Sequence, residues 1–131
     1  MIDVLTLTRE GRLAVVELKA DEDIHLPLQG LDYWARVQWH HRRAEFLKFG
    51  YLGGRVLSED SPLLFLVSPA LHVHPSKDVI LRYVSPEIEW AFVGIDERWR
   101  EGVRVVFRKR AHHGDTDARR QSGVRDFGRT A

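Results

Sequence analysis

Residues 2–8 read IDVLTLT, residues 9–11 read REG, and residues 13–19 read LAVVELK. The two outer segments are rich in aliphatic and β-branched residues and flank a turn that contains Gly11, which predicts a β-hairpin. A three-residue loop that ends with Gly11 in the left-handed conformation makes a bulged hairpin. This loop pairs Thr8 with Arg12, and the pairing that continues from it sets Asp3 opposite Glu17.

The predicted pairing gathers two carboxylates and one ammonium on one face of the hairpin. Directly opposed side chains lie about 4.5–5.5 Å apart between their Cβ atoms, so Asp3 and Glu17 can share one divalent cation. Lys19 follows Glu17 by two residues and therefore lies on the same face. A two-residue loop would place Asp3 across from Leu18 and abolish this arrangement. A plain ion-pair cluster of the same residues is the alternative interpretation, because a Glu-x-Lys sequence recurs by chance.

Periodicity predicts an α/β fold around the hairpin. Both hairpin faces carry apolar residues, so we expect the hairpin in the middle of a covered sheet. A helix is expected over Pro27–Lys48, because Pro suits a first turn and apolar residues recur at helical spacing. The apolar run LLFLV at residues 63–67 predicts a buried strand, joined through this helix as a parallel βαβ unit. The remaining expected elements are a helix at 76–84, strands at 87–95 and 103–108, and a helical turn at 96–100.

Three short motifs follow one another: Asp3 on the first strand, Glu17-Leu18-Lys19 on the second, and Gln29-x-x-x-Tyr33 on the helix. In this order they resemble the PD-(D/E)XK nuclease superfamily, and its RecB-like branch in particular. The resemblance implies a restriction-endonuclease-like mixed β-sheet flanked by helices. It implies that Asp3, Glu17 and the backbone carbonyl of Leu18 bind Mg²⁺, for which Mn²⁺ can substitute. Lys19 would be the third catalytic residue and assist the attacking water, while Gln29 and Tyr33 would support the site and contact DNA.

The chain departs from the family pattern at its start. In the family, a helix and a first strand precede the hairpin, and the helix often carries a further acidic ligand. No segment before Asp3 matches them, so we expect an N-terminally truncated domain or a second chain that supplies these elements. The departure favours an alternative function, namely a catalytically inactive nuclease-fold module for DNA binding or scaffolding. An unpaired hairpin edge also predicts association, with a homodimer as the simplest closure.

Basic residues continue the helix face that carries the glutamine and the tyrosine. Arg36, His40 and Arg43 share this face at spacings of three and four residues. One interpretation extends the active face toward the phosphates of DNA. The other, equally weighted, is a solvated helix end where the helix dipole favours cations.

Composition limits the remaining function classes. The 131 residues predict one domain, and the absence of cysteine excludes disulfides and thiolate zinc sites. The 20 basic and 19 acidic residues nearly cancel, which argues against a general nucleic-acid sponge. A nuclease is compatible with this balance, since its bound metal supplies local positive charge. No apolar run reaches membrane length and no signal peptide is recognisable, so a cytoplasmic protein without a membrane partner is expected.

The chain divides by composition near residue 110. The polar stretch 111–131 holds Val124 and Phe127 as its large apolar residues, which predicts a flexible tail after a nuclease-like domain at 1–110. The leading functional prediction is a Mg²⁺-dependent DNA nuclease that hydrolyses phosphodiester bonds. DNA repair, recombination or defence against foreign DNA would be its setting.

Overall fold

The structure, a computed structural model, describes residues 3–20, 23–72 and 76–111. A mixed five-stranded sheet has its strands in chain order: β1 (Val4–Leu7), β2 (Leu13–Leu18), β3 (Leu63–Pro69), β4 (Trp90–Ile95) and β5 (Val105–Arg110). Strands β2, β3 and β4 are parallel to one another, and β1 and β5 are antiparallel to their neighbours. The predicted α/β class and the parallel pairing of β2 with β3 are confirmed.

The hairpin has the predicted register. Leu7 lies opposite Leu13, and the N–H of Thr8 donates to the carbonyl of Arg12 at 2.8 Å across a three-residue loop. Gly11 ends this loop with a φ of 82°, a conformation that glycine adopts without steric penalty. The turn residues therefore set which side chains of the two strands meet.

Strand β1 lies at an edge of the sheet, so the expectation of a hairpin in the middle of a covered sheet is wrong for its first strand. The residues of β1 alternate between exposed and half-buried, whereas β2 is buried at Leu13, Ala14 and Val15. The crossover returns β3 to the other side of β2. Among the described residues, no strand pairs with the outer side of β1.

Helix α1 (Leu26–Arg42) ends earlier than predicted, because the chain breaks at Ala44 before a short helix α2 (Glu45–Lys48). Ala44 has a φ of 54°, which a helix cannot accommodate. The predicted continuous helix Pro27–Lys48 is therefore wrong at its last turns. Neither glycine nor proline marks the break in the sequence, so apolar spacing alone could not reveal it.

The other elements lie close to their predicted places. Helix α3 spans Ser76–Arg82, and short 3₁₀ turns lie at Tyr51–Gly54 and Ala70–His72. At the place of the expected helical turn, 96–100, residues 97–101 form a hydrogen-bonded turn in which the N–H of Trp99 donates to the carbonyl of Asp96 at 3.1 Å. None of the helices in the described part of the chain combines the length and the apolar character needed to cross a membrane. The predicted tail lies outside the described residues from residue 112 onward.

The hydrophobic core lies between one face of the sheet and the helices. Gly30 of α1 approaches the sheet so closely that an added Cβ would lie 2.4 Å from Leu66 Cδ2 and 3.8 Å from Glu17 Cβ. The most deeply buried core residues include Leu13, Val15, Leu26, Leu64, Leu66 and Phe92. The same sheet face carries Glu17, so the packing of α1 also buries this carboxylate.

On the opposite face of the sheet, Ala14, Ala91, Val93 and Ile95 are buried, but in the described part of the chain they lie outside this core cluster. Val16 lies beside Phe65 and Leu18 beside Val67 on that face, because side chains alternate along each strand. Leu18 is 44% exposed, and the other three are half-buried. Within the described residues, the helical layer thus covers one side of the sheet.

Candidate active site

Asp3 and Glu17 lie beside each other at the open end of the hairpin. The β1–β2 register, continued one residue beyond the Val4–Val16 pair, sets them opposite each other. The N–H of Asp3 donates to the Glu17 carboxylate, and the N–H of Leu18 donates to Asp3 Oδ2 at 2.8 Å. Each carboxylate thus accepts a hydrogen bond from the backbone of the facing segment.

Glu17 has an incompletely satisfied carboxylate. The residue is 3% exposed, and its Oε2 atom has no hydrogen-bond partner. Burial raises the pKa of Glu17, the neighbouring Asp3 carboxylate raises this pKa further, and Lys19 opposes both effects. An unpartnered buried oxygen is unfavourable. The position therefore favours uptake of a proton or a cation.

The backbone carbonyl of Leu18 adds a third oxygen to those of the Asp3 and Glu17 carboxylates. The N–H of Lys19 is bonded to the carbonyl of Val67 at 3.0 Å, which directs it toward β3. The N–H of Leu18 points the other way, to Asp3. Because the N–H and C=O of one strand residue point to the same side, the Leu18 carbonyl also lies on the Asp3 side.

Lys19 brings a positive charge to this end of β2. Its Nζ lies 3.6 Å from Asp23 Oδ2, and both side chains remain about one-third exposed. The ammonium is also close enough to Glu17 to lower the pKa of that carboxyl. The structure therefore brings the three predicted catalytic residues Asp3, Glu17 and Lys19 together, with Asp23 as an additional neighbour of the lysine.

Gln29 and Tyr33 lie on the first turns of α1. Gln29 precedes Gly30, where an added Cβ would lie 3.8 Å from Glu17 Cβ, and the Oε1 atom of Gln29 is buried without a partner. Tyr33 is half-buried and packs against the core cluster. The glutamine thus lies in the part of α1 that packs over Glu17, and the tyrosine ring packs against the core.

Ser68 of β3 is a residue that sequence reasoning missed. It is 1% exposed, and the β2–β3 register, continued one residue beyond Leu18–Val67, places it opposite Lys19. Its Oγ atom has no hydrogen-bond partner. Among the described residues, the buried side-chain oxygens without partners are those of Glu17, Gln29 and Ser68. Only the pairing of β3 with β2 reveals Ser68, and a single sequence does not specify that register.

The basic residues expected to continue the active face lie apart from this site. Arg36 pairs with Asp32 at 3.0 Å, while His40 and Arg43 both contact the carboxylate of Glu45. At a rise of about 1.5 Å per residue, His40 lies about 16 Å along the helix from Gln29. The structure therefore does not bring these three side chains to the carboxylates.

A cation at this site would depend on few protein ligands. The described residues contain no group of three or more His, Cys, Asp or Glu side chains that could hold a metal ion. Asp3, Glu17 and the Leu18 carbonyl offer two carboxylates and one backbone oxygen. This donor set fits Mg²⁺, which keeps several waters and often binds through one or two carboxylates.

Comparisons with protein-family models, with curated proteins and with solved structures give no match. The functional interpretation of this α/β domain therefore rests on its motifs and on the geometry at the end of the hairpin.

Proposed function

We propose that the chain is a Mg²⁺-dependent nuclease that hydrolyses phosphodiester bonds of DNA. The observation that carries the proposal is the Glu17 carboxylate, which is buried beneath α1 with one oxygen unpartnered. A second carboxylate, that of Asp3, lies directly beside it. Two carboxylates and a lysine at a strand end match the nuclease motif in residue type and in order.

Each residue has a distinct task in this proposal. Asp3, Glu17 and the Leu18 carbonyl would hold the metal ion, which would supply Lewis-acid chemistry and lower the pKa of bound water. Lys19 orients the attacking water or stabilises the negative charge that develops on the phosphate. Gln29 orients Glu17 or the DNA strand from the first turn of α1. Repair, recombination or defence against foreign DNA in the cytoplasm is the setting that fits this activity.

A catalytically inactive nuclease-fold module for DNA binding or scaffolding is the second candidate. Two observations favour it. Lys19 lies beside the Asp23 carboxylate at 3.6 Å, and the described residues provide no three-side-chain metal group. An active nuclease cleaves DNA and an inactive module does not. A metal site binds Mg²⁺ or Mn²⁺ specifically, whereas a plain ion-pair cluster does not.

Metal titration tests the site. In calorimetry, we expect Mn²⁺ or Mg²⁺ to bind the full chain and Glu17→Ala to weaken binding at least about tenfold, because a ligand oxygen is lost. Asp3→Asn should weaken it too, while it keeps an oxygen that can accept from the Leu18 N–H. Glu101→Ala removes an exposed carboxylate elsewhere and is the matched control. Unchanged binding in both site variants would exclude the metal site.

A cleavage assay then separates the two functions. Wild-type protein with Mg²⁺ should cut linear or supercoiled DNA, and EDTA should stop the reaction. Metal binding without cleavage of any DNA form would favour the inactive module.

A further inference from the structure

Strand β1 presents one row of backbone hydrogen-bonding groups at the edge of the sheet. The N–H of Thr8 donates to the carbonyl of Arg12, and the β1–β2 register continues from this pair. Hydrogen-bonded and non-hydrogen-bonded pairs alternate along an antiparallel ladder. The N–H and C=O groups of Leu5 and Leu7 therefore point away from β2. Among the described residues, no strand pairs with these four groups.

This edge is complementary to itself in one antiparallel register. Two copies that meet through the same strand are related by a twofold axis. With Thr6 on the axis, Leu5 of each copy lies opposite Leu7 of the other, and their outward groups form four backbone hydrogen bonds. The same register sets Asp3 of each copy opposite Arg9 of the other.

The opposite charges of Asp3 and Arg9 favour this register over its neighbours. Both residues are exposed, and the ion pairs between described residues include neither of them. Directly opposed side chains lie about 4.5–5.5 Å apart between their Cβ atoms, where opposite charges stabilise the pairing. A register with Leu5 or Val4 on the axis sets Asp3 opposite a leucine and loses both ion pairs.

We propose that two copies of this chain pair along β1 in this register and form a continuous ten-stranded sheet, with Arg9 of each copy beside Asp3 of the other. Three strand spacings of about 4.8 Å then separate the two β2 strands by about 14 Å. Helix α1 packs over β2 and β3, so the two α1 helices stay farther apart than the about 10 Å of packed helices. The apolar face with Phe65 and Val67 continues across both copies.

The pairing adds a positive charge to the candidate active site. Lys19 is the cation that the chain itself brings to Asp3 and Glu17. The guanidinium of Arg9 from the second copy would lie at the same end of the hairpin, and its planar donors match phosphate oxygens. This consequence rests on the proposed function, whereas the pairing itself needs neither metal nor DNA.

Single-cysteine variants report the register, because the chain contains no cysteine. Thr6→Cys places two thiols at the twofold axis, in a non-hydrogen-bonded pair with Cα atoms about 4.5 Å apart. A disulfide spans about 4.4–6.8 Å between Cα atoms. Under mild oxidation of the full chain in EDTA, we expect Thr6→Cys to form a covalent dimer that dithiothreitol reverses.

Val4→Cys is the matched control for the crosslink. Val4 is exposed on the same strand, but in this register it lies four residues, or about 13 Å, from its counterpart in the second copy. It should therefore crosslink at least about tenfold more slowly than Thr6→Cys.

Charge reversal tests the contact of Arg9 with Asp3 by analytical ultracentrifugation. Arg9→Asp should weaken the dimer at least about tenfold, because two like-charge contacts replace two ion pairs. Arg100→Asp makes the same charge change at an exposed position between β4 and β5 and should leave the dimer intact. Asp3→Arg combined with Arg9→Asp should restore most of the affinity, and Arg9→Asp alone is decisive if the double variant misfolds.

A chain that stays monomeric, or one that crosslinks at Val4 in preference to Thr6, would overturn the proposed pairing. Equal weakening by Arg9→Asp and Arg100→Asp would overturn the contact with Asp3. Since these measurements use neither metal nor nucleic acid, their failure is distinct from a failure of the nuclease proposal.

Discussion

Glu17 lies in the core layer because of strand alternation. Leu13, Val15 and Glu17 point to the same side of β2, and α1 packs on that side through Gly30. The carboxylate is therefore buried along with two aliphatic side chains. Its unpartnered oxygen and its raised pKa are consequences of this position, and they make the residue sensitive to both pH and metal ions.

The raised pKa of Glu17 predicts a specific pH dependence of stability. The folded state binds this proton more tightly than the unfolded state, so the free energy of unfolding falls as pH rises from the ordinary glutamate value through the raised value. Glu17→Gln removes this component. In urea denaturation with EDTA, the variant should gain stability relative to wild type as pH increases through that window. Parallel curves for the two proteins would contradict the prediction.

Lys19→Ala should separate binding from catalysis. The lysine acts on the attacking water or on developing charge, so its loss should reduce cleavage about 10²–10³-fold and leave Mn²⁺ binding unchanged. Single-turnover cleavage and calorimetry provide the two measurements. Lys48→Ala, on the exposed end of α2, is the control. If metal binding fell together with cleavage, Lys19 would have a structural role.

Among the elements, the hairpin is held by its turn. Gly11 has a φ of 82°, and an added Cβ would lie 2.5 Å from the backbone oxygen of Val56. The carbonyl of Gly11 also accepts from the N–H of Ser58 at 2.9 Å. The turn therefore joins the hairpin to the segment that precedes β3.

Gly11→Ala should destabilise the protein more than the left-handed conformation alone requires. That conformation disfavours alanine by about 1–2 kcal/mol, and the contact with Val56 adds to this. Gly53→Ala is a matched control, because Gly53 has a φ of 66° and nothing within 4 Å of an added Cβ. Thermal unfolding should show the larger loss for Gly11→Ala. Equal losses of stability in the two variants would show that the backbone around Val56 shifts at little energetic cost.

The break between α1 and α2 predicts a stabilising substitution. Ala44 has a φ of 54°, which glycine adopts more readily. Ala44→Gly should therefore raise the free energy of unfolding by about 1 kcal/mol. Ala35→Gly, at an exposed position inside α1, should lower it by about 1 kcal/mol. Denaturant unfolding of both variants checks the opposite signs, and destabilisation by Ala44→Gly would argue against the break.

At the scale of the molecule, the apolar sheet face opposite the helices predicts association. Phe65 and Val67 lie on this face and are half-buried, and β1 leaves a strand edge beside it. Apolar faces and open edges favour contact with a second copy. Light scattering should show a mass that rises with concentration. A compact monomer at all concentrations would contradict this prediction.

A substitution on that face tests which surface is involved. Phe65→Ser should shift the association to higher concentration, because it removes apolar area from the centre of the face. Tyr83→Ser is the control, since Tyr83 is 86% exposed on another part of the surface. A larger effect from Tyr83→Ser would place the contact elsewhere.

Local chemistry in the sequence determined the α/β class, the parallel crossover and the hairpin register. A glycine turn fixes which residues pair, and the pairing decides which side chains meet, so the closeness of Asp3 and Glu17 could be predicted from residues 3–17 alone. The nuclease function stays a prediction. The tertiary structure decided what depends on contacts between distant segments. Ser68 comes beside Lys19 through the β2–β3 register, and Glu17 is buried because α1 packs over it at Gly30. The edge position of β1 and the break at Ala44 likewise depend on packing between elements, which local periodicity does not report.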